Sequence, residues 1–325
     1  MLSKNEWDPL KSVIVGRADY ATIPFLDDSL RTVNYAHVDN VNLIPQGPYP
    51  QQVIDEANED LQTLTEFLIS LGVVVYRPNK NVIPEYYNYC PRDTVFIHEN
   101  LILATPTPLL SRVNEYTSME EALHMFGDIT YALRPDPTKL YNKNCIGNPD
   151  ILALNETEPA FDAANILRAN DDIYYLVSNS GNEQGALFLQ ELMPNKKVHT
   201  IKGIYSYMHL DSTIAFLREG LMLLNPSRIK SVDQLPASLR NWDVIWCPEP
   251  VDIGHYPGYC NASAWVNVNL FSVSPKLAIV EENQHNLRIE LEKHRIECAM
   301  LPMRHARTMG GCFHCVTLDL VRDHY

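Results

Sequence analysis

One succession of elements, strand, strand, helix and strand, recurs about five times in this 325-residue chain and limits the folds open to it. Residues 12–15 form a short β-rich run ended by Gly16, and residues 53–71 carry apolar side chains at the three- and four-residue spacing of a helix. The units return about every 50 to 70 residues, without visible sequence identity. Such recurrence is typical of repeat or propeller-like architectures, and the alternative is an ordinary mixed α/β domain.

The remaining elements follow the same order. Strand 73–76 comes after the helix 53–71, and the proline- and asparagine-rich stretch 23–50 is expected to be a long surface loop. A last strand begins at Val316. Between them we predict strands 94–97, 101–104, 173–177, 198–201, 213–217, 221–224, 244–247, 266–271, 277–280 and 296–301, and helices 118–125, 182–192, 232–240 and 284–294.

The net charge and the cysteines of the chain indicate which binding partners and which cellular compartment to expect. A net charge of −14 argues against nucleic acid and against an acidic membrane surface, and it suits a small cationic substrate better. Seven scattered cysteines do not resemble a disulfide framework, so a reducing, cytoplasmic setting is expected. Residues 1–6 lack the apolar core of a signal peptide, and no stretch approaches the roughly 20 apolar residues of a membrane helix.

Uncommon polar clusters stand immediately before the predicted strand pairs. One residue from each gives positions 93, 162, 211, 263 and 315, at spacings of 69, 49, 52 and 52 residues. If the units surround an axis, equivalent points of every unit converge there. Two carboxylates, the pair His209 and Asp211, a serine and a cysteine would then meet in one central pocket.

Each cluster also has a simpler interpretation. Asp93 and Asp162 are compatible with ordinary turn aspartates, and His209 with Asp211 is compatible with a surface pair. The run from Cys312 to Cys315 is formally a Cys-x-x-Cys, a redox motif or half of a zinc site. No second Cys-x-x-Cys exists in the sequence, and a structural zinc site usually has four ligands, so no metal and no cofactor are expected.

The clusters resemble, in order, the motifs of the L-arginine amidinotransferases, which include glycine, inosamine-phosphate and natural-product types. The chain is most similar to the amidinotransferases of cyanobacterial toxin pathways, the saxitoxin type in particular. The match extends nearly end to end. It rests on Asn5-Glu6-Trp7-Asp8-Pro9-Leu10, Arg92-Asp93, Glu158-Pro159-Ala160-Phe161-Asp162-Ala163-Ala164, Met208-His209-Leu210-Asp211, Asn225-Pro226-Ser227-Arg228 and Gly310-Gly311-Cys312-Phe313-His314-Cys315.

The resemblance implies a five-bladed α/β propeller of ββαβ units, the pentein fold shared with arginine deiminases, as one catalytic domain over residues 1–325. It implies Cys315 as nucleophile, His209 as general acid and base, and Asp162 as the carboxylate that orients this histidine. Substrate binding falls to five further residues. Asp93 and Asp211 would hold the guanidinium and Arg228 and Ser263 the amino-acid end of arginine, with Met208 beside them.

The implied reaction moves the amidino group of L-arginine through an amidino-cysteine to an amine of specialised, toxin-like metabolism and releases L-ornithine. Two alternatives remain: a deiminase- or dihydrolase-type hydrolase on the same fold, and a catalytically silent binding protein. The partners expected are small molecules, and the oligomeric state is open, a homodimer included. Cys312 stands where a third glycine is usual, and Ala262-Ser263 stands where glycine amidinotransferases have two serines. Loops 23–50 and 254–260 are expected to shape the acceptor pocket.

Overall fold

The structure is a computed structural model that describes residues 2–324, and it contains five three-stranded sheets built to one plan. In each sheet the first and middle strands are antiparallel, and the third strand lies parallel to the middle one on its other side. A helix or a pair of short helical turns connects the middle strand to the third. The predicted five-bladed α/β propeller of ββαβ units is therefore confirmed.

The five sheets are numbered here as blades 1 to 5. Blade 1 consists of Thr317–Arg322, Leu10–Val15 and Val74–Tyr76, and blade 2 of Val95–His98, Leu101–Ala104 and Ile129–Tyr131. Blade 3 consists of Ile166–Ala169, Asp172–Leu176 and Lys197–Ile201, and blade 4 of Ile214–Arg218, Leu221–Leu224 and Asp243–Trp246. Blade 5 consists of Phe271–Ser274, Leu277–Glu281 and Glu297–Leu301.

Blade 1 joins the two ends of the chain. Its first strand is the last strand of the sequence, and it pairs antiparallel with Leu10–Val15, placing Val13 opposite Asp319 and Ile14 opposite Leu318. This pairing closes the ring of blades and ties the segment that carries Cys315 to the N-terminal strand. The sheet of blade 1 therefore fixes the chain immediately after Cys315, the candidate nucleophile.

Five of the seven α-helices within residues 2–324 lie between the middle and third strands of a blade, and the other two, Pro137–Leu140 and Ala306–Met309, follow a third strand. Gln51–Ser70 is the longest and buries an apolar face, and Gly72, with a φ of 80°, supports the turn that follows it. The helix Glu183–Leu192 begins at Asn182, whose side chain accepts a hydrogen bond from the Gly185 N–H. The other helices are Asp28–Val33, Glu120–His124, Pro137–Leu140, His285–Lys293 and Ala306–Met309. Within residues 2–324, none of the helices has the length and apolar character to cross a membrane.

Three sequence predictions need correction. The helix predicted over 232–240 is instead two 3-10 turns, Val232–Gln234 and Ala237–Leu239, because Pro236 has no N–H to continue a helix and restricts the residue before it. The strand predicted over 266–271 is the 3-10 helix Ala264–Val268 followed by a strand that starts at Phe271.

The stretch 23–50, predicted to be a surface loop, also contains more structure than expected. It holds the buried helix Asp28–Val33, and the Asp27 side chain accepts a hydrogen bond from the Leu30 N–H at the start of that helix. Two short strands, Thr22–Ile23 and Gly47–Pro48, pair across the base of the same stretch. The segment is therefore a folded excursion that packs on the propeller.

A buried group of five charged side chains connects blades 1, 2 and 3 with the N-terminal segment. Arg168 donates hydrogen bonds to both Glu6 and Asp319, and Asp319 also accepts from Arg92 and Arg322. Burial alone would raise the pKa of Glu6, but Arg168 and the other neighbouring donors outweigh it and hold that pKa well below its usual range. The Asn5-Glu6 motif of the sequence is therefore part of the propeller's central ion network.

Candidate active site

A short helical turn precedes the first strand of blades 2 to 5. In blade 1, the segment that ends at Cys315 takes the same place ahead of Thr317–Arg322. Turns of neighbouring blades contact one another, so the positions spaced regularly along the sequence meet in space. These turns are Pro91–Asp93, Ala163–Asn165, Leu210–Ser212 and Ala264–Val268.

The turns surround a cavity of about 380 Å³ that opens to the surface. Asp162 lies behind the wall, fully buried and hydrogen-bonded to His209. The other predicted site residues all line the cavity: Asp93, Met208, His209, Asp211, Arg228, Ser263 and Cys315. Residues from the two predicted loops, Asn34, His37 and Cys260, also line it. The structure therefore brings all eight predicted site residues into one place.

His209 is held between two carboxylates. Its Nε2 lies 3.0 Å from Asp162 Oδ2, and its Nδ1 lies 3.7 Å from Asp93 Oδ1. The hydroxyl of Thr107 donates to the other oxygen of Asp162 at 2.6 Å. Burial would lower the pKa of His209, but Asp93 and Asp162 raise it well above its usual range. The two carboxylates thus orient the imidazole and favour its protonated form.

Asp93 is fixed on one side by a buried arginine. Arg112 Nη1 donates to Asp93 Oδ2 at 2.7 Å, and the same guanidinium pairs with Glu115 at 2.7 Å. Burial raises the pKa of Asp93, and that of Glu115 to about 7, although Arg112 opposes both shifts. The second oxygen, Asp93 Oδ1, is buried without a hydrogen-bond partner among the described residues.

Asp211 is fixed in the same manner by a histidine. His314 Nδ1 lies 2.8 Å from Asp211 Oδ2, and the opposite ring nitrogen lies 3.4 Å from Glu6 Oε2. Burial would raise the pKa of Asp211, but His314 outweighs it and lowers that pKa. Asp211 Oδ1, like Asp93 Oδ1, is buried and has no hydrogen-bond partner in the part of the chain that the structure describes.

Cys315 is placed by its backbone and by the preceding glycines. The side-chain oxygen of Asn269 accepts hydrogen bonds from the N–H groups of Cys315, at 3.0 Å, and Cys312, at 3.2 Å. A Cβ at Gly311 would lie 2.7 Å from Cys315 Cβ, so only glycine allows this close approach. A hydrogen bond with Cys90, burial and the charge of Asp211 together raise the pKa of the Cys315 thiol.

Arg228 presents a cation at the cavity wall. Its Nη1 donates to the Ser212 carbonyl and hydroxyl and to the Thr213 hydroxyl, and its guanidinium lies 3.5 Å over the ring of Tyr205. No carboxylate of residues 2–324 forms an ion pair with it. Ser263 is exposed on the wall, at the start of the turn that follows it.

Sequence reasoning missed several residues that complete this site. Arg112, Thr107 and Tyr205 each stand alone in the sequence, with no neighbouring motif to single them out. Asn269 falls in a stretch predicted as a strand, where an isolated asparagine carries no functional signal. His314 was within a recognised motif, but only its contact with Asp211 indicates what it does.

The chain was compared with proteins of known function and structure. No protein-family model matches it. It is 39% identical to inosamine-phosphate amidinotransferase 1 of Streptomyces glaucescens, over 98% of this chain and 95% of that protein. The chain belongs to the amidinotransferase family. It is also 29% identical to L-arginine:L-lysine amidinotransferase of Pseudomonas savastanoi pv. phaseolicola, over 98% of this chain and 94% of that protein.

Two solved amidinotransferases have the same fold over the whole chain. Inosamine-phosphate amidinotransferase StrB1 of Streptomyces griseus superposes with a TM-score of 0.94 at 38% identity, covering 100% of this chain and 97% of that one. SxtG, an amidinotransferase of the saxitoxin biosynthetic pathway from Microseira wollei, gives 0.89 at 26% identity, covering 100% and 98%. The family expected from the motifs is thus confirmed, and both the inosamine-phosphate and the saxitoxin-pathway types are similar to this chain.

Proposed function

We propose that this amidinotransferase takes its amidino group from L-arginine, carries it on Cys315 and delivers it to an amine of specialised, toxin-like metabolism, with L-ornithine as the first product. One observation supports this most strongly. Asp93 gives one oxygen to Arg112 and Asp211 gives one to His314, and each keeps its other oxygen buried without a hydrogen bond among the described residues, in the cavity that Cys315 lines. A planar guanidinium satisfies two such oxygens at once.

The donor half-reaction follows from the groups around the sulfur. Cys315 gives its proton to water in the open cavity as the guanidinium arrives, because a cation beside the sulfur stabilises the thiolate. The sulfur bonds to the guanidino carbon, and the bond from that carbon to the ornithine nitrogen breaks. Protonated His209, held by Asp162, donates a proton to the departing nitrogen.

The acceptor half-reaction reverses these roles. An amine enters after ornithine has left, gives a proton to His209 and attacks the amidino carbon, and the sulfur of Cys315 departs. Donor and acceptor use one cavity in turn, so we expect ping-pong kinetics. The acceptors in the relatives' names, an inosamine phosphate and lysine, are both amines, which supports an amine here.

The amino-acid end of arginine is assigned to Arg228, which lines the same cavity. Arg228 has no acidic partner among the described residues, and three oxygen atoms occupy only its Nη1. Its remaining N–H groups are therefore free to bind a carboxylate in the bidentate manner of arginine. Ser263 and Met208 also line this cavity and complete the proposed substrate site.

The proposal extends to the setting of the enzyme. We assign one catalytic domain to the whole chain, with small molecules as its partners and the cytoplasm as its compartment. All seven cysteines are free thiols, which suits a reducing compartment. Hydrolysis of arginine on the same fold is not favoured, because the relatives that show the family are transferases.

Replacement of the nucleophile tests the proposal. Cys315→Ala should abolish ornithine release from arginine, whereas Cys312→Ala, a change at the other cysteine of the motif, should retain it. Undiminished ornithine release by Cys315→Ala would refute the assignment. Citrulline and ammonia, or urea, formed from arginine in the absence of any amine would indicate a hydrolase instead.

A further inference from the structure

Cys90 and Cys315 form a pair of thiols that the proposed amidino transfer does not require. A Cβ at Gly311 would lie 2.7 Å from Cys90 Sγ and 3.5 Å from Cys315 Sγ, so both sulfurs border the same small space. Each thiol also shifts the pKa of the other, as expected for two sulfurs that lie close together. A second thiol in contact with a catalytic thiol has chemical consequences of its own.

The two sulfurs differ in their access to solvent. Cys315 lines the open cavity, whereas Cys90 lies behind it, 1% exposed and packed in the apolar core. A small reagent that diffuses into the cavity therefore reaches Cys315 first. Cys90 is buried away from the reagent, but its sulfur lies close enough to react with an oxidised Cys315.

The sequence motif indicates a different partner. Cys312 and Cys315 form the Cys-x-x-Cys, yet the thiol of Cys315 donates its hydrogen bond to Asp211 and not to Cys312. Cys312 is buried, and its backbone N–H is bound to Asn269. Cys90, which is remote in sequence, is the thiol that shares the space beside Gly311 with Cys315.

We propose that Cys90 is a resolving thiol for Cys315 and that the pair forms a reversible disulfide when a hydroperoxide enters the cavity. The Cys315 thiolate attacks the peroxide, so that an S–O bond forms, the O–O bond breaks and an alcohol or water leaves. The Cys90 sulfur then attacks the sulfenic acid, an S–S bond forms, the S–O bond breaks and water leaves with the Cys90 proton. The two thiols together lose two electrons, and the peroxide gains them.

The disulfide would switch the enzyme off without destroying it. While the sulfur of Cys315 is bonded to Cys90 it is not a thiolate, so it cannot attack a guanidino carbon. A thiol reductant restores both thiols, whereas a sulfinic acid at Cys315 would be irreversible. Arginine should slow the oxidation, since an amidino group on the sulfur blocks attack on the peroxide.

Peptide mapping of the unmodified enzyme tests the proposal directly. The treatment with hydrogen peroxide is done at alkaline pH, because the raised pKa of Cys315 disfavours the thiolate at neutral pH. Trypsin should then yield peptide 81–92 joined to peptide 308–322. The joined mass should be two hydrogens short of the sum, and dithiothreitol should separate the peptides and restore activity. A loop within peptide 308–322 would instead mean a Cys312–Cys315 disulfide and would overturn the proposal.

Matched variants separate the two thiols. Cys90→Ala, or Cys90→Ser if the alanine variant does not fold, should lose the reductant-reversible fraction and accumulate two oxygen atoms on Cys315. Cys312→Ala should still form the cross-link. Irreversible oxidation of Cys315 in the unmodified enzyme, with Cys90 still free, would contradict the proposal. Only the activity measurement rests on the proposed function. The peptide map detects the Cys90–Cys315 disulfide even if Cys315 is not the nucleophile.

Discussion

Cys315 Sγ lies 3.3 Å from Asp211 Oδ2, so the thiol donates a hydrogen bond to a carboxylate that His314 keeps ionised. An anion beside the sulfur disfavours the thiolate. In the proposed reaction, Cys315 is therefore protonated in the resting enzyme, and a cationic substrate that binds Asp211 would offset this charge and favour the thiolate. The proposed mechanism thus links binding of arginine to activation of Cys315.

The Asp211→Asn variant should make the free thiol more reactive and the enzyme less active. Removal of the negative charge lowers the pKa of Cys315, and each unit of decrease raises the thiolate fraction at neutral pH about tenfold. Alkylation of Cys315 by iodoacetamide, followed by peptide mass, should be faster than in the unmodified enzyme, while ornithine release falls. The exposed Cys260 serves as the internal control, because its alkylation rate should not change.

Asp162→Asn should reduce turnover by about 10² to 10⁴, the usual contribution of an oriented acid–base catalyst. The change also removes part of what raises the pKa of His209. Because His209 must be protonated to donate to the leaving amine, loss of activity on the alkaline side should begin at a lower pH. Ornithine release measured across the pH range checks this shift.

Thr107→Val is the matched control for Asp162→Asn. It removes the hydroxyl that donates to Asp162 and leaves the contact between Asp162 and His209 in place. We expect a smaller loss of turnover with little movement of the pH profile. Equal effects of both substitutions would mean that Asp162 acts only through packing.

The stacking of Arg228 on Tyr205 should strengthen the binding of arginine and leave the binding of agmatine, its decarboxylated analogue, unchanged. Tyr205→Leu frees the guanidinium to move, so the KM for arginine should rise by roughly tenfold, as expected for a loss of one to two kcal/mol of charge-assisted binding. Inhibition by agmatine should be unaffected, since agmatine has no carboxylate for Arg228. Tyr205→Phe, which keeps the ring, is the control, and an equal effect on both ligands would contradict the account.

The buried ion network should dominate stability in acid. Asp319→Asn leaves three buried arginines short of a partner, and we expect a loss of about 3 to 5 kcal/mol in the free energy of unfolding. Glu290→Gln, which breaks an exposed pair with Lys293, should cost less than about 1 kcal/mol. Denaturant unfolding of the two variants provides the comparison.

The network also sets the direction of the pH dependence. The pKa values of Glu6 and Asp319 are depressed in the folded state, so their stabilisation is present above the unfolded carboxyl pKa and is lost as the pH falls through the folded one. The unmodified protein should therefore lose stability on acidification below the unfolded carboxyl pKa. Asp319→Asn should show a weaker dependence over that range, and an unchanged slope would argue against the network.

The repeat was predictable because each blade buries two short apolar strands against its neighbours. Strands such as Leu101–Ala104 and Leu221–Leu224 occur at the predicted residues, because a short apolar run bounded by turn residues is typical of a buried strand. The stretch before Phe271 was mispredicted because its apolar residues are buried in either conformation. Hydrophobicity alone cannot separate a 3-10 helix from a strand over so few residues.

The candidate site was predictable where its residues occupy equivalent places in the repeat. Asp93, Asp211 and Cys315 each precede a first strand, so the spacing alone indicated that they converge. Residues that fix them from outside the repeat were not predictable. Arg112 acts through a contact that depends on how separate segments pack, and no spacing rule encodes that contact.

The mass of peptide 308–322 during turnover tests the central claim most directly. After incubation with arginine labelled in its guanidino carbon, the peptide should carry one labelled amidino group on Cys315, with one ornithine released for each. An acceptor amine should then remove the label and appear labelled itself. Ornithine accumulating while Cys315 stays unmodified, or label passing to citrulline or urea without an amine, would contradict the account.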